Sequence, residues 1–178
     1  MNKVILLDKR PLGKPVINNF KFIEEKNPVA ADGQVLLKTL YVSVDPYLRG
    51  RMSNVKSYVP SFKLNEPIQS GIIAEVIESR NPVYKVGDFV SARLDWKELQ
   101  VSDGKDLIKV DGNAVNLSAY LGILGMTGLT AYLGLTEIAK PKAGETLVVS
   151  GAAGAVGSIV GQIGKILGCR VIGIGKVN

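Results

Sequence analysis

Apolar positions change their period part-way along this chain. Residues 34–44 form a long apolar run enriched in β-branched side chains, which predicts a strand. Residues 71–78 form another, with polar residues alternating towards its end, and 88–94 and 98–101 read as successive shorter strands. Gly33, the pair Asn81 and Pro82, Gly87, and the pair Asp103 and Gly104 punctuate these runs as turns. Short strands at this spacing predict an antiparallel barrel or sandwich. One helix interrupts them. Asp45 is placed to cap it, and Pro46 suits its first position, where a missing N–H costs nothing; Tyr47, Leu48 and Arg49 then form the first turn.

Beyond residue 120 the spacing becomes helical. Residues 127–139 predict a helix closed by Pro141. Residues 146–150 are a short, wholly apolar-centred run, as expected for a strand of a parallel sheet buried on both faces. Residues 155–167 predict a helix ending at Gly168, and 170–174 a second strand. Strand, helix and strand within 146–174 make one βαβ unit.

Composition sharpens that division. Of the 20 glycines, 13 lie in residues 121–178, whereas of the 11 aromatic residues only Tyr132 does. The expected organisation is therefore α/β with a β-rich part: a first domain over 1–120 and a second beginning at 121 and running to 178. Charge adds little, because the net +6 is split evenly between the two parts and no lysine or arginine run stands out. A solvated basic surface is expected, with no nucleic-acid face. The chain holds no histidine and one cysteine, Cys169. Imidazole-based acid–base chemistry, Ser-His-Asp triads and all-thiolate metal sites are thereby excluded, no metal is expected, and a reducing, cytoplasmic compartment is the default.

The candidate chemistry lies in the turn of the βαβ unit. Glycines fall at 151, 154 and 157, between the strand and the helix. Such spacing allows a tight turn, lets a pyrophosphate approach bare backbone, and lets helix pack closely on strand, while the helix N-terminus offers free N–H groups. Two other readings stand beside it. Residues 146–164 are uncharged, which a membrane helix with a Gly-x-x-x-Gly face would also satisfy, although Ser150, Ser158 and Gln162 interrupt it; no membrane association is expected. The glycines are also compatible with a purely structural turn. After Glu145 no acid occurs up to Asn178, so the usual carboxylate for the ribose diol of NAD is missing. Lys176 instead suits the 2′-phosphate of NADP, or is an ordinary surface lysine.

Four ordered motifs carry a resemblance. Residues 42–52, which begin Val42, Ser43, Val44, Asp45 and Pro46, are followed by 101–107 around Asp103 and Gly104, by 125–132 from Gly125 to Tyr132, and by 151–157. In this order the chain resembles the zinc-independent medium-chain dehydrogenase/reductases, in the leukotriene hydroxydehydrogenase and prostaglandin reductase branch of NADP-dependent alkenal and enone reductases. The resemblance covers nearly the whole chain. It implies a GroES-like β-barrel domain on the substrate side, followed by the first βαβ unit of a Rossmann-like doubly wound domain. It also implies NADP(H) as cofactor and reduction of a carbon–carbon double bond conjugated to an aldehyde or ketone. A doubly wound sheet has roughly six strands and this chain supplies two, so a truncated chain lacking the complete active site is expected.

Residue roles follow from the motifs themselves and, for Met126 and Thr127, from the resemblance. Gly151, Ala153, Gly154, Ala155, Val156 and Gly157 would hold the cofactor's diphosphate, and Met126 and Thr127 would lie against its nicotinamide half, unless Met126 packs in a core and Thr127 caps its helix. Tyr47 is the candidate catalytic donor to the carbonyl oxygen, unless it is a half-buried packing residue. Arg49 and Arg51 would attract an acidic substrate, or are exposed charges on one short helix. The implied partners are a small enone, enal or quinone and a second copy in a homodimer. The rival readings are a quinone reductase of the same superfamily, or a non-catalytic module that binds nucleotide or dimerises through an exposed sheet edge.

Overall fold

Alternating side chains assemble the first sheet. The computed structural model describes residues 1–57 and 59–175. The strands of the first part are β1 (Asn2–Leu7), β2 (Phe20–Glu25), β3 (Val35–Val42), β4 (Gln69–Ser79), β5 (Phe89–Asp95), β6 (Leu99–Ser102) and β7 (Ile108–Val110). Five form an antiparallel sheet in the order β6-β3-β4-β5-β7, while β1 and β2 pair as an antiparallel ribbon. One face of β3, β4 and β5 contributes Val35, Leu37, Ile72, Ala74, Val76 and Val90 to a core from which solvent is excluded. Tyr84 seals its edge, its buried hydroxyl donating to the carbonyls of Gly104 and Leu107 at 2.9 Å each.

Strand β1 closes this sheet on itself. The Ile5 N–H donates to the Trp96 carbonyl at 3.0 Å, and the Leu7 N–H to the Glu66 carbonyl at 3.1 Å. One strand thus meets both the segment entering β4 and the turn leaving β5. Asn2, fully buried, clamps the same junction: its amide donates to the Leu99 carbonyl at 2.8 Å and accepts from the Leu99 N–H at 2.7 Å. The barrel-like closure explains why neighbouring Ile72 and Ile73, on opposite faces of β4, are both inaccessible.

Helix α1 (Pro46–Arg51) lies against this closure. Leu48 and Met52, four residues apart, share one face and pack with Leu7, Phe62 and Ile68 in a second core. Asp45 is the residue before the helix, yet its carboxylate does not cap it. The carboxylate instead accepts from the Ser43 hydroxyl at 2.7 Å, and the turn is held by the Leu48 N–H donating to the Asp45 carbonyl at 3.0 Å.

The chain divides into two units, Met1–Leu117 and Ser118–Asn178. In the second, α2 (Met126–Leu133) continues into a π-helical segment, Gly134–Ala139, ended by Lys140 in the left-handed conformation. The Thr130 and Thr136 hydroxyls donate back to the Met126 and Tyr132 carbonyls at 2.7 and 2.8 Å. Then β8 (Thr146–Ser150), α3 (Gly157–Ile166) and β9 (Arg170–Ile174) follow, with β8 and β9 parallel and in register from Thr146 opposite Arg170. Helix α3 begins at Gly157 and not at Ala155, because 151–156 are spent in turns. The uncharged run 146–164 is therefore strand, loop and helix; no helix among the described residues is long and apolar enough to cross a membrane.

Leu37→Ala should expose the dependence on the first core. The side chain is fully buried, so its truncation is expected to cost about 2–5 kcal/mol in denaturant unfolding.

Candidate functional site

The loop between β8 and α3 is built by three constraints. Gly151 turns the chain out of β8 with φ +60°, a conformation that side chains with a Cβ rarely adopt. The Ala152 N–H then donates to the Ile174 carbonyl at 3.0 Å, fastening the loop to the end of β9. The Gly154 N–H returns to the Gly151 carbonyl at 2.8 Å. Gly157 finally stands so close to the Gly151 carbonyl that a Cβ there would collide with it. The helical ladder starts with the Ser158 N–H donating to the Gly154 carbonyl at 3.0 Å.

This arrangement leaves donors over. Among the described residues, the N–H groups of Ala153, Ala155, Val156 and Gly157 have no protein acceptor. Ala153, Gly154 and Ala155 are exposed, and no acidic side chain occurs from 146 to 175. Unpaired amides at a helix start, with the positive end of the helix dipole and nothing to repel an anion, form a site for phosphate oxygens. The residues present fit a dinucleotide diphosphate. A purely structural turn needs Gly151 and Gly157 as well, with the exposed amides of Ala153 and Ala155 met by water.

Met126 and Thr127 begin α2 in the same unit. Met126 is 67% exposed and thus packs in no core of that unit. Thr127 is not the helix cap, a position taken by Gly125; its hydroxyl donates to the Gly122 carbonyl at 2.9 Å and holds the preceding turn. Lys176 lies outside the described residues.

A different pocket occupies the first unit. It encloses about 320 Å³ and is lined by Tyr47, Gly50, Arg51, Ser53, Val55, Lys56, Ser57 and Val59. Tyr47 and Arg51 are four residues apart on α1, which turns both to the flank that Leu48 and Met52 do not use. Tyr47 is half-buried against the second core, and the Arg93 guanidinium lies 5.9 Å from its ring centre. Its hydroxyl has no hydrogen-bond partner among the described residues. Arg51 stacks on Phe62 at 4.0 Å and donates through Nε to the Pro60 carbonyl at 3.0 Å. Burial holds its pKa below the ordinary arginine value; the Arg93 charge pushes the same way, and Tyr47 opposes both. Arg49 is used differently. Its Nε, Nη1 and Nη2 donate to the Gly13 carbonyl, the Ser53 hydroxyl and the Pro11 carbonyl at 2.7, 2.7 and 3.0 Å. The residues that sequence reasoning missed are Lys56, Phe62 and Arg93; only the i, i+4 pairing of Tyr47 with Arg51 pointed towards this pocket.

A sheet-rich unit is thus followed by strand, glycine turn, helix and strand. Residues 3–110 match the family described as the N-terminal domain of oxidoreductase. The chain belongs to this family, in the medium-chain dehydrogenase/reductase branch with GroES-like and Rossmann-like architecture. It is 47% identical over 173 residues to the NADPH-dependent curcumin reductase of Escherichia coli, covering 97% of this chain and 50% of that protein. It is 42% identical over 178 residues to the NADP-dependent 2-alkenal reductase of Nicotiana tabacum, covering 97% and 52%. The crystal structure of CurA from Vibrio vulnificus in complex with NADPH superposes with a TM-score of 0.90 at 45% identity, over 99% of this chain and 52% of that one. The chain spans about half the length of the curated relatives it matches.

The two arginines of α1 predict different stability effects. Arg49→Met removes three donors from neutral acceptors and should lower the thermal midpoint, at a cost of about 1–3 kcal/mol; circular dichroism melts would read it.

Proposed function

We propose that this chain supplies the substrate-side domain, over 1–120, and the start of the NADP-binding domain, over 121–178, of an NADPH-dependent reductase of α,β-unsaturated aldehydes and ketones. The observation that carries the reading is the loop 151–157, whose four spare backbone N–H groups sit in an acid-free stretch. The names of the relatives support the choice of cofactor and of reaction class. On this reading the N–H groups of Ala153, Ala155, Val156 and Gly157 hold the diphosphate, and Gly154 leaves it room. Met126, exposed at the start of α2, is available to the nicotinamide half, with Thr127 holding the turn beneath it. When bound, NADPH supplies a hydride to the double bond.

The chain's own residues then orient the substrate and meet the charge that develops on its carbonyl oxygen. Tyr47 is the donor for that oxygen: its hydroxyl borders the pocket and is not committed elsewhere among the described residues. No imidazole or thiolate is available for a zinc site, since the chain has no histidine and its single cysteine, Cys169, is buried with its thiol against the Lys142 carbonyl at 3.6 Å.

Two outcomes test the reading. Oxidation of NADPH by the full-length protein that carries this chain, in the presence of a simple enone, should be measurable by loss of nicotinamide absorbance, and Tyr47→Phe in it should lower kcat by about 10²-fold. Ala155→Glu should raise the Kd for NADPH at least tenfold, because its carboxylate meets the diphosphate. The same carboxylate suits the helix dipole, so the thermal midpoint should hold or rise. An unchanged Kd in that variant would remove the diphosphate from this loop.

A further inference from the structure

The connection between β1 and β2 carries charge that the protein does not balance and apolar side chains that it does not bury. It contains Lys9, Arg10 and Lys14, and no acid occurs from Lys9 to Ile23. Arg49 of α1 adds a fourth cation, through its bonds to the Pro11 and Gly13 carbonyls. The bordering acids are already matched, Asp8 by Lys9 at 3.9 Å and Glu66 by Lys63 at 3.2 Å. Arg10, Lys14 and Arg49 join no ion pair found among the described residues. On the same loop Leu12 is 101% exposed, and Val16 and Ile17 are exposed with it. One exposed leucine is ordinary; three aliphatic side chains among uncompensated cations are not.

The exposure does not come from slack chain. Arg49 grips the loop at two carbonyls, and Gly13 turns it with φ +85° directly after Leu12. The Asn19 carboxamide accepts from the Val16 N–H at 2.8 Å, while the Asn19 N–H donates to the Val16 carbonyl at 2.9 Å. The Asn19 carbonyl in turn accepts from the N–H groups of Asp8 and Lys9. Folding has already ordered this loop, so a binding partner does not have to.

Shape and chemistry narrow the partner. Leu12 has solvent on every side, so the tip is convex; a protein would have to bring a matching cavity, whereas a fluid bilayer admits a convex tip. Residues 9–19 hold no aromatic ring on which a nucleic-acid base could stack. Aliphatic side chains beside lysine and arginine suit the headgroup layer of a membrane. An anionic leaflet attracts each such cation, and salt screens the attraction.

We propose that the β1–β2 loop docks on the surface of an anionic phospholipid membrane, with Leu12, Val16 and Ile17 entering the headgroup layer and Lys9, Arg10, Lys14 and Arg49 supplying the attraction. The contact is peripheral, since no helix among the described residues is long and apolar enough to cross. It stands apart from the reductase reading and does not need it.

The probe is a vesicle of equal parts phosphatidylglycerol and phosphatidylcholine, sedimented at low salt with the full-length protein that carries this chain. The protein should bind it about tenfold or more tightly than a vesicle of phosphatidylcholine alone, and added salt should shrink the difference. Lys14→Glu should weaken binding by about fivefold or more. Lys85→Glu makes the same change of net charge elsewhere: β4 starts beside Glu66, whose carbonyl binds Leu7, and runs eleven residues before the turn that carries Lys85. It should leave binding within about twofold. Leu12→Ser with Ile17→Ser keeps the charge and should weaken binding by about tenfold. These side chains are exposed, so the thermal midpoints should hold. Equal binding to the two vesicles, or binding to neither, overturns the proposal. So do equal losses in Lys14→Glu and Lys85→Glu, or full binding by the double serine variant. An oligonucleotide bound more tightly than the anionic vesicle, and unaffected by the two serines, also overturns it.

Discussion

The second unit depends on one close approach, that of Gly157 to the carbonyl of Gly151. With any side chain at 157 the backbone would have to move apart, and the turn that carries β8 into α3 would open. Because it stays closed, the Gly154 N–H reaches back to Gly151 and the ladder of α3 cannot begin before Ser158 pairs with Gly154. The residues in between are caught between two hydrogen-bonding systems and belong to neither. Their amides are left over by geometry and not by neglect, and a left-over amide at a helix start is an anion site. The same economy recurs further along α3. A Cβ on Gly164 would stand 2.5 Å from the Leu147 side chain, which packs directly on the bare helix backbone there.

In the first unit the comparable constraint is the four-residue repeat on α1. Leu48 and Met52 are drawn into the core around Leu7 and Ile68, and this fixes the rotation of the helix. Once it is fixed, Tyr47 and Arg51 have one flank left. Arg49 points elsewhere and is absorbed by the loop at Pro11 and Gly13, where Arg10 also donates to the Met52 and Phe62 carbonyls at 2.9 and 3.1 Å. Packing thereby separates, within three residues, an arginine consumed by loop carbonyls from one that borders the pocket. Apolar contacts fix the direction; hydrogen bonds decide which charge is consumed.

Local patterns were legible to the extent that partners were near in sequence. The strands at 35–42, 69–79, 89–95 and 99–102 lie within a residue or two of the expected runs, because their alternation and bounding turns are local. Strands β1, β2 and β7 went unread. Strand β1 pairs with β2 and also meets residues around 66 and 96, and no periodicity within six residues announces contacts that distant. The start of α3 was expected two residues early, since Ala155 is a good helix former and nothing local shows the loop claiming it. Asp45 was expected to cap α1, but Ser43, two residues back, offered a nearer donor. The glycine loop was legible because its chemistry is backbone chemistry and spacing alone specifies it. The pocket was not, because Arg51, Phe62 and Arg93 come together only through tertiary packing.

Charge placement along the second unit completes the argument for the loop. The nearest acid before it is Glu145, whose carboxylate accepts from the Lys142 N–H at 2.8 Å and is thus held at the entry to β8. A five-residue strand then separates it from the loop, a distance of about 17 Å at the usual rise. At physiological ionic strength that exceeds the screening length, so the carboxylate exerts little field where a phosphate would sit. Nothing after it up to residue 178 is acidic. A ribose-binding carboxylate at the end of β9 would favour an unmodified 2′-hydroxyl and repel a phosphate there. Up to residue 178 no such carboxylate follows β9, so none there opposes a 2′-phosphate.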